Sequence, residues 1–272
     1  SEVGYTLPNE NLNSDTHRGL EGVLTYKNKA GEVDYTFSAN ATLSRRKDLD
    51  FYKPRFGNSF DEYRNSYVDR WGNINWGYQV EGQFQSQEEI ERHLVNNDGQ
   101  GNRTHLPGDF IYKDVNNDGI INNLDERPIG YAEGANPYLS FAFNSSIAYK
   151  GFSLFFDFAG ASLQSFQRNW EIKIPYQNNG TSPAYMLEDR WHREDPFDPN
   201  SNWVPGTYPA IRKDNTSHVN FRKSDFWITN VRYLRLRNVE LGYNLNQSLT
   251  KKLGLSALRV YVNASNLFSF DN

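Results

Sequence analysis

Apolar and polar side chains alternate strictly along several stretches of this chain. From Val33 to Ser44, one set of alternate positions carries Val, Tyr, Phe, Ala, Ala and Leu, and the other carries Asp, Thr, Ser, Asn, Thr and Ser. Residues two apart lie on the same face of a β-strand, so the pattern predicts a strand with one apolar face. Gly19 to Lys27 alternates similarly, and the NKAGE loop at 28–32 between the two segments predicts a hairpin.

Two further strand pairs are predicted downstream. The segments 137–149 and 151–161 flank a turn at Lys150–Gly151. The residues predicted to share one face of this hairpin are Phe141, Phe143, Phe152, Leu154 and Phe156. The last pair is 233–245 with 257–270. Its first strand changes the phase of its apolar face near Asn238, which indicates either a β-bulge or the edge of a bilayer.

The length of these segments favours a membrane barrel over a soluble sheet. Strands of soluble proteins usually have about 5–6 residues, and the predicted strands are about twice as long, as membrane-spanning strands are. The turns at 28–32 and 150–151 are short, whereas the connections 45–136 and 164–226 are long. Short turns on one side and long loops on the other are typical of outer-membrane barrels. We therefore predict an all-β fold, a transmembrane antiparallel β-barrel with long extracellular loops.

Composition agrees with such a fold and excludes several other classes. The chain has 17 Tyr and 18 Phe in 272 residues, yet it contains no apolar run long enough for a transmembrane helix. A net charge of −4 without a basic run argues against nucleic acid as a partner, and the absence of cysteine excludes disulfides. The five histidines show no metal spacing, and no nucleophile or phosphate-binding motif is present, so we predict that the chain is not an enzyme.

The sharpest local motif is DVNNDGIINNLD at 114–125, inside the first long connection. Its oxygen-bearing residues have the spacing of an EF-hand loop, with Gly119 at the sharp turn. The predicted Ca²⁺ ligands are Asp114, Asn116, Asp118, the backbone carbonyl of Ile120, Asn122 and Asp125. The shorter Asp125 stands where an EF-hand has Glu, and no helix is predicted before the loop, so a structural role is expected rather than a sensor. The alternative is a polar surface turn.

Two other features lie in the connections. Ser86 and Glu89 form a capping-box pattern that predicts a short helix. Five tryptophans lie outside the predicted strands, where they either pack the loops together or stack on a substrate. They are Trp71, Trp76, Trp170, Trp191 and Trp203. No substrate-binding residue can be assigned among them.

Seven segments, taken in order, resemble the SusC/RagA family of TonB-dependent importers. They are RGLEGVLTYKNKAGEVDYTFSANATLS (18–44), GYQVEGQFQSQEEIERH (77–93), GDFIYKDVNNDGIINNLDERPIG (108–130), PYLSFAFNSSIAYKGFSLFFDFAGA (137–161), EDRWHREDP (188–196), FWITNVRYLRLRNVELGYNL (226–245) and ALRVYVNASNLFSF (257–270). The resemblance implies that residues 1–272 form a partial C-terminal region of a 22-stranded barrel in the bacterial outer membrane. No segment resembles the family's plug or TonB box.

The resemblance also implies a function. Such importers take up oligosaccharides, or in some members peptides, together with a SusD-like lipoprotein and the TonB complex, which acts through an N-terminal region not seen here. Outer-membrane lipid would surround the strands. The alternative from the residues alone is a secreted, calcium-stabilised β-sandwich that binds carbohydrate. The two differ in the apolar face, which a sandwich buries and a barrel presents to lipid.

Overall fold

The computed structural model describes residues 11–52, 55–132, 136–212 and 217–271. Within these ranges the α-helices are α1 (Ser59–Asn65), α2 (Gln87–Arg92), α3 (Ala184–Glu188) and α4 (Gln247–Lys252). No helix of the described residues has the length and apolar character needed to span a membrane. The chain divides into two compact units. Unit 1 comprises residues 1–73, 134–164 and 230–272, and unit 2 comprises residues 74–133 and 165–229.

Unit 1 is built on a single sheet of long strands. These are β1 (Ser14–Ala30), β2 (Val33–Asp50), β3 (Leu139–Tyr149), β4 (Phe152–Gln167), β5 (Ile228–Asn244) and β6 (Arg259–Asp271). Each is hydrogen-bonded to its neighbour in chain order, and the short strand Arg70–Trp71 pairs with β2 beside β3. The sheet is therefore an up-and-down meander interrupted by two long excursions.

The predicted hairpins are confirmed. β1 and β2 pair antiparallel, with Ala30 opposite Val33 across a two-residue turn. β3 and β4 join at Lys150–Gly151, where both residues have positive φ (45° and 88°), as a tight hairpin turn of the primed type requires. The strands run further than the sequence predicted. β2 continues to Asp50 and β4 to Gln167, so the connections placed at 45–136 and 164–226 begin later in the chain.

Strand register sorts the side chains of the sheet onto two faces. In the β3–β4 hairpin, Phe143 lies opposite Phe158, Ser145 opposite Phe156, and Tyr149 opposite Phe152. Directly opposed residues share a face, and the five residues predicted to share one face therefore do so. β2 extends this surface, because Ala39 pairs with Phe143. We call this surface, from the Val33 row to the Leu43 row of β2, the apolar band.

A β-bulge interrupts the β5–β6 pair at the predicted place. Leu236 lies opposite Phe268, but Asn238 lies opposite Ser265. An advance of two residues along β5 therefore corresponds to an advance of three residues along β6. The extra residue is thus on β6, not on the strand whose pattern revealed the irregularity. Asn266, at φ 53°, adopts the left-handed conformation that such a bulge needs.

The sheet has no hydrophobic core of its own. Among the described residues, every buried apolar side chain lies in unit 2 except Ala161 and Leu236. Large side chains of the long strands are instead exposed, for example Leu20 (79%) and Leu24 (75%). A β-sandwich packs its apolar face against a second sheet, and the described residues of unit 1 form no second sheet. The architecture thus argues against the sandwich alternative.

Unit 2 is a compact body of short elements. Its strand pairs are Trp76–Gly77 with Arg127–Pro128, Val80–Gln83 with Phe110–Tyr112, and His192–Arg193 with Trp203–Val204. Its core is Phe110, Tyr112, Ile121, Met186, Val219 and Trp227. The helix predicted from the capping pattern is α2, with the Ser86 hydroxyl accepting from the Glu89 N–H. The Glu89 carboxylate accepts from the Gln85 N–H.

Candidate functional site

The loop 114–125 follows the strand Phe110–Tyr112 and ends in a 3₁₀ turn, Asn123–Asp125. Gly119 has φ 80°, as the sharp turn of a cation-binding loop requires. Asp125 is buried (1% exposed), whereas Asp118 lies on the surface. The motif therefore forms a curved loop with one end anchored in the body of unit 2.

Two carboxylates fix the shape of this loop through its backbone. Asp114 accepts from the N–H groups of Asp118 (3.3 Å) and Gly119 (2.8 Å). Asp125 accepts from the N–H groups of Val115 and Asn122, both at 2.9 Å. Asp114 and Asp125, the predicted first and last ligands, thus each accept hydrogen bonds from the backbone of residues elsewhere in the loop. These bonds hold the loop in a closed curve.

Amide groups cover the oxygen atoms expected to bind the cation. The Asn116 side-chain amide donates to Asp118 Oδ2 (2.8 Å), and the Asn122 amide donates to the carbonyl of Ile120 (3.3 Å). The Asn116 hydrogen bond, followed by the Ile120 N–H, lowers the pKa of Asp118. All six predicted ligand atoms are oxygens, which suits a hard cation such as Ca²⁺. Rotation of these two amides would expose only Asp118 Oδ2 and the Ile120 carbonyl, because backbone N–H groups donate to the side-chain oxygens of the other four predicted ligands.

The three carboxylates of the loop do not converge on one point. Asp114, Asp118 and Asp125 are not a group whose oxygens all lie within 4.8 Å of one another in the described chain. The Arg127 Nη1 group donates to the carbonyls of Leu124 and Glu126, at the end of the loop. Calcium binding stays a prediction, and it would require the ligands to close inward.

A second copy of the pentapeptide VNNDG was missed by the sequence reasoning. It occupies 95–99 as well as 115–119. Asp98 accepts from the N–H groups of Gln100, Asn102 and Thr104 and from the Thr104 hydroxyl, at 2.7–2.9 Å. Burial alone would raise its pKa, but these hydrogen bonds lower the pKa of Asp98 to about 2. This copy is therefore satisfied by its own loop.

The two copies are hydrogen-bonded to each other. The Asn96 N–H donates to the Gly119 carbonyl (2.8 Å), and the Ile121 N–H donates to the Asn96 carbonyl (3.0 Å). A change in the shape of loop 114–125 is thus coupled to residues 95–104. The identical pentapeptides were the signal in the sequence that could have revealed this pairing.

A buried polar centre surrounds Asp109, which is fully buried. Its carboxylate accepts from His105 Nδ1 (3.1 Å), the Leu106 N–H (2.9 Å), Arg212 Nη2 (2.5 Å) and Asn220 Nδ2 (2.7 Å). Burial alone would raise the pKa of Asp109, but His105, Arg212 and Asn220 outweigh it and lower the pKa. The carboxylate is therefore a buried anion held by four donors.

Within the described residues, His105, Asp109 and His218 form the one group of three possible metal ligands whose atoms lie within 4.8 Å of one another. The Arg212 guanidinium, however, already contacts Asp109 Oδ2, the oxygen that would face a metal. A second cation there would be repelled by the guanidinium. The group is therefore an ion-paired structural centre, in which Arg212 and Asn220 reach Asp109 from more than a hundred positions away in sequence.

His218 makes the stability of unit 2 depend on pH. Burial, then the charge of Arg212, lowers the pKa of His218 to about 4 from 6.5. Between these values the unfolded state binds a proton that the folded state does not, so stability falls as the pH falls from 6.5 to 4. We expect the opening free energy to decrease by about 1.4 kcal/mol per pH unit in this window, measured by hydrogen exchange at Tyr112. The His218→Gln variant should show a flatter dependence, and equal slopes would contradict the assignment.

The tryptophans divide between packing and exposure. Trp76 and Trp191 are buried (8% and 3% exposed), so they pack the loops of unit 2, whereas Trp170 is 66% exposed. Trp203 stacks under the Arg193 guanidinium, 4.4 Å from the ring centre. Trp71 belongs to unit 1. The described structure does not gather these rings into one binding surface within unit 2.

Comparisons with known proteins show what this chain is similar to. No family model matches the chain. TonB-dependent receptor P3 of Formosa agariphila is 26% identical over 274 residues, covering 98% of this chain and 25% of the relative. TonB-dependent receptor P26 of the same organism is 27% identical over 193 residues, covering 70% of this chain and 17% of the relative. The chain thus spans about a quarter or less of these relatives.

Solved structures show the same fold. The RagAB peptide transporter aligns with 99% of this chain at a TM-score of 0.63 and 16% identity, and the chain covers 27% of that structure. The RagAB peptide importer in its open-open state gives 0.62 and 17%. The chain is therefore similar in sequence to TonB-dependent receptors and similar in fold to the RagAB structures. The resemblance to SusC/RagA-type proteins is confirmed as a likeness in sequence and in fold.

Proposed function

We propose that this chain is part of the barrel wall and the extracellular loops of an outer-membrane importer driven by TonB. Unit 1 supplies strands that cross the membrane, and unit 2 supplies loop structure outside it. A SusD-like lipoprotein would cooperate at the extracellular mouth, as RagA is paired with a second protein in the RagAB structures. The imported nutrient is an oligosaccharide, with a peptide as the second candidate.

One observation carries this proposal: an uncovered apolar band on long, sequentially paired strands. From Val33 to Leu43 the band covers ten residue steps, or about 33 Å at about 3.3 Å per residue. A strand tilt of about 40° leaves about 25 Å along the membrane normal, the height of the apolar belt of outer-membrane barrels. A soluble sheet has no reason to expose such a surface.

Energised uptake by intact cells tests the proposal. Cells with the full-length protein should accumulate labelled oligosaccharide, and cells without it, or treated with a protonophore, should not. The same pair of strains given labelled peptides decides between the two substrates. Accumulation of both nutrient classes at the same rate with and without the protein would contradict an importer of either kind.

The loop 114–125 would bind Ca²⁺ and order the region around it. Extracellular calcium is often millimolar, so a dissociation constant on the order of 10⁻⁴–10⁻³ M suffices. The support is the donor set of six oxygens and the closure of the loop by Asp114 and Asp125. Bound Ca²⁺ would offset the repulsion that arises when the three carboxylates close inward on one point.

Calcium should protect residues 108–130 of the full-length protein from proteolysis, and a chelator should expose them. The Asp114→Ala and Asp118→Ala double variant should resemble the chelated protein, because it loses two ligands. Limited proteolysis with mass spectrometry of the fragments is the measurement. The Asp98→Asn variant is the control, since Asp98 is satisfied within its own loop, and its calcium protection should persist. Equal cleavage with and without calcium in the parent protein would rule out the site.

A further inference from the structure

Two arginines face each other at one end of the apolar band. Arg18 of β1 lies directly opposite Arg45 of β2, one row beyond the Leu20–Leu43 pair. Residues two apart on a strand share a face, so both arginines lie on the same face as the apolar band. Lys47 is on that face one row further out. Like charges directly opposite one another destabilise a sheet unless a counter-ion neutralises them.

Neither Arg18 nor Arg45 forms an ion pair of 4.0 Å or less within the described residues, although the charge of Arg18 does act on Asp69. Lys47 forms an ion pair with Asp69 at 2.5 Å, but no acidic group lies within 4.0 Å of Arg18 or Arg45. The Nε of Arg45 is buried and has no hydrogen-bond acceptor. Three basic groups therefore share one acidic neighbour, and the cluster keeps an excess of positive charge.

The opposite face at the same depth is different. There His17 lies opposite Arg46, and Arg46 pairs with both Asp15 (3.4 Å) and Asp48. On this face Arg46 is thus held by two carboxylates, whereas on the face of the apolar band the three basic groups share the single carboxylate of Asp69. Proximity to the strand ends does not explain this contrast, because both faces lie at the same level of the same two strands, β1 and β2.

Aromatic rings hold the Arg45 guanidinium in place. It lies between Trp71 and Tyr138, with its carbon 5.0 Å and 4.8 Å from the ring centres. Such stacking uses the two faces of the guanidinium, so an anion would bind at its edge, through the Nη groups rather than the buried Nε. Trp and Tyr are also the residues enriched where a membrane meets water.

The cluster lies just outside the predicted lipid belt. The tight turns at 31–32 and 150–151 are at the other end of the strands, and the long connections begin at this end. One row beyond Leu43 adds two residues, or about 5 Å along the membrane normal at the tilt used above. That is the level of lipid headgroups in the outer leaflet.

We propose that Arg18, Arg45 and Lys47 bind the phosphate groups of an outer-leaflet lipid, whose acyl chains lie on the apolar band below. Paired guanidinium groups match phosphate oxygens with two hydrogen bonds each. The lipid would supply the missing negative charge and fix the rotation of this part of the wall. The inference rests on the proposed function, because it requires unit 1 to cross a membrane.

Retention of lipid by the full-length protein tests the site. The protein is reconstituted with phosphatidylglycerol or with an uncharged glycolipid, extracted in mild detergent and analysed by native mass spectrometry. The Arg18→Gln and Arg45→Gln double variant should retain about tenfold less phosphatidylglycerol than the parent protein, with no change for the glycolipid. The His17→Gln and Arg46→Gln double variant is matched in depth and lies on the other face, so it should retain as much as the parent. Equal retention by both variants would overturn the proposal.

Further measurements distinguish failure of the lipid site from failure of the variant to fold and from failure of the proposed membrane topology. If the glutamine variant does not fold, Arg45→Lys is used instead, because it keeps the positive charge but loses the planar guanidinium. Lipid retention by this variant should still fall several-fold. Unchanged retention would count against phosphate recognition. Displacement of the lipid by millimolar inorganic phosphate would show an anion site that is not specific for lipid, which also overturns the proposal. A cysteine at Asp50 that an impermeant reagent cannot label in intact cells would instead contradict the proposed membrane topology.

Discussion

Replacement of Asp109 by alanine should lower the opening free energy of unit 2 by about 3–5 kcal/mol, the cost of removing one partner of a buried ion pair. The variant leaves the Arg212 guanidinium without its carboxylate partner. Because only 15% of that side chain is exposed, water replaces the lost partner poorly. It also removes the acceptor of His105, Asn220 and the Leu106 N–H. Because these donors come from both halves of unit 2, their loss should affect the whole unit.

Hydrogen exchange in the full-length protein measures this effect residue by residue. Protection of the Phe110 and Tyr112 amides should fall by about two to three and a half orders of magnitude, the equivalent of that free energy at about 1.4 kcal/mol per factor of ten. Asp198→Ala, at an exposed loop carboxylate of the same unit, is the control and should change protection little. If the two variants behave alike, Asp109 does not organise the unit.

An arginine at Phe143, the middle of β3, should destabilise the membrane-inserted protein by about 2–4 kcal/mol. Phe143 lies at the centre of the apolar band and contacts Phe37 and Phe156, with ring centres 6.2 Å and 6.1 Å apart. A guanidinium there would have to leave water for lipid and would find no acidic group in the band. Refolding into lipid vesicles across a urea series gives the free-energy difference.

The neighbouring residue provides a matched control at the same depth. Asn144 lies on the other face, directly opposite Asp157, so Asn144→Arg gains a carboxylate partner. Its cost should be much smaller than that of Phe143→Arg. Similar costs at both positions would show that the apolar band does not face lipid, and this result would contradict the proposed function itself.

The sequence alone determined the features that depend on neighbouring residues. Alternation with period two fixes which side chains share a face, because successive Cβ atoms point to opposite sides of a strand. The same local reasoning identified the Lys150–Gly151 turn, the cap of α2 and the irregularity near Asn238. The spacing of DVNNDGIINNLD likewise predicted a curved loop with Gly119 at its turn.

The tertiary structure alone decided the features that depend on distant residues. The bulge residue is Asn266, on the strand opposite the one whose pattern changed phase. Asp109 meets Arg212 and Asn220 from more than a hundred positions away, and the histidines of that centre carry no periodic signal. Arg18 and Arg45 become neighbours only through the register of β1 and β2. Periodicity specifies the face of each strand, whereas packing and pairing between separate segments specify which charges meet, and no short stretch of sequence contains that information.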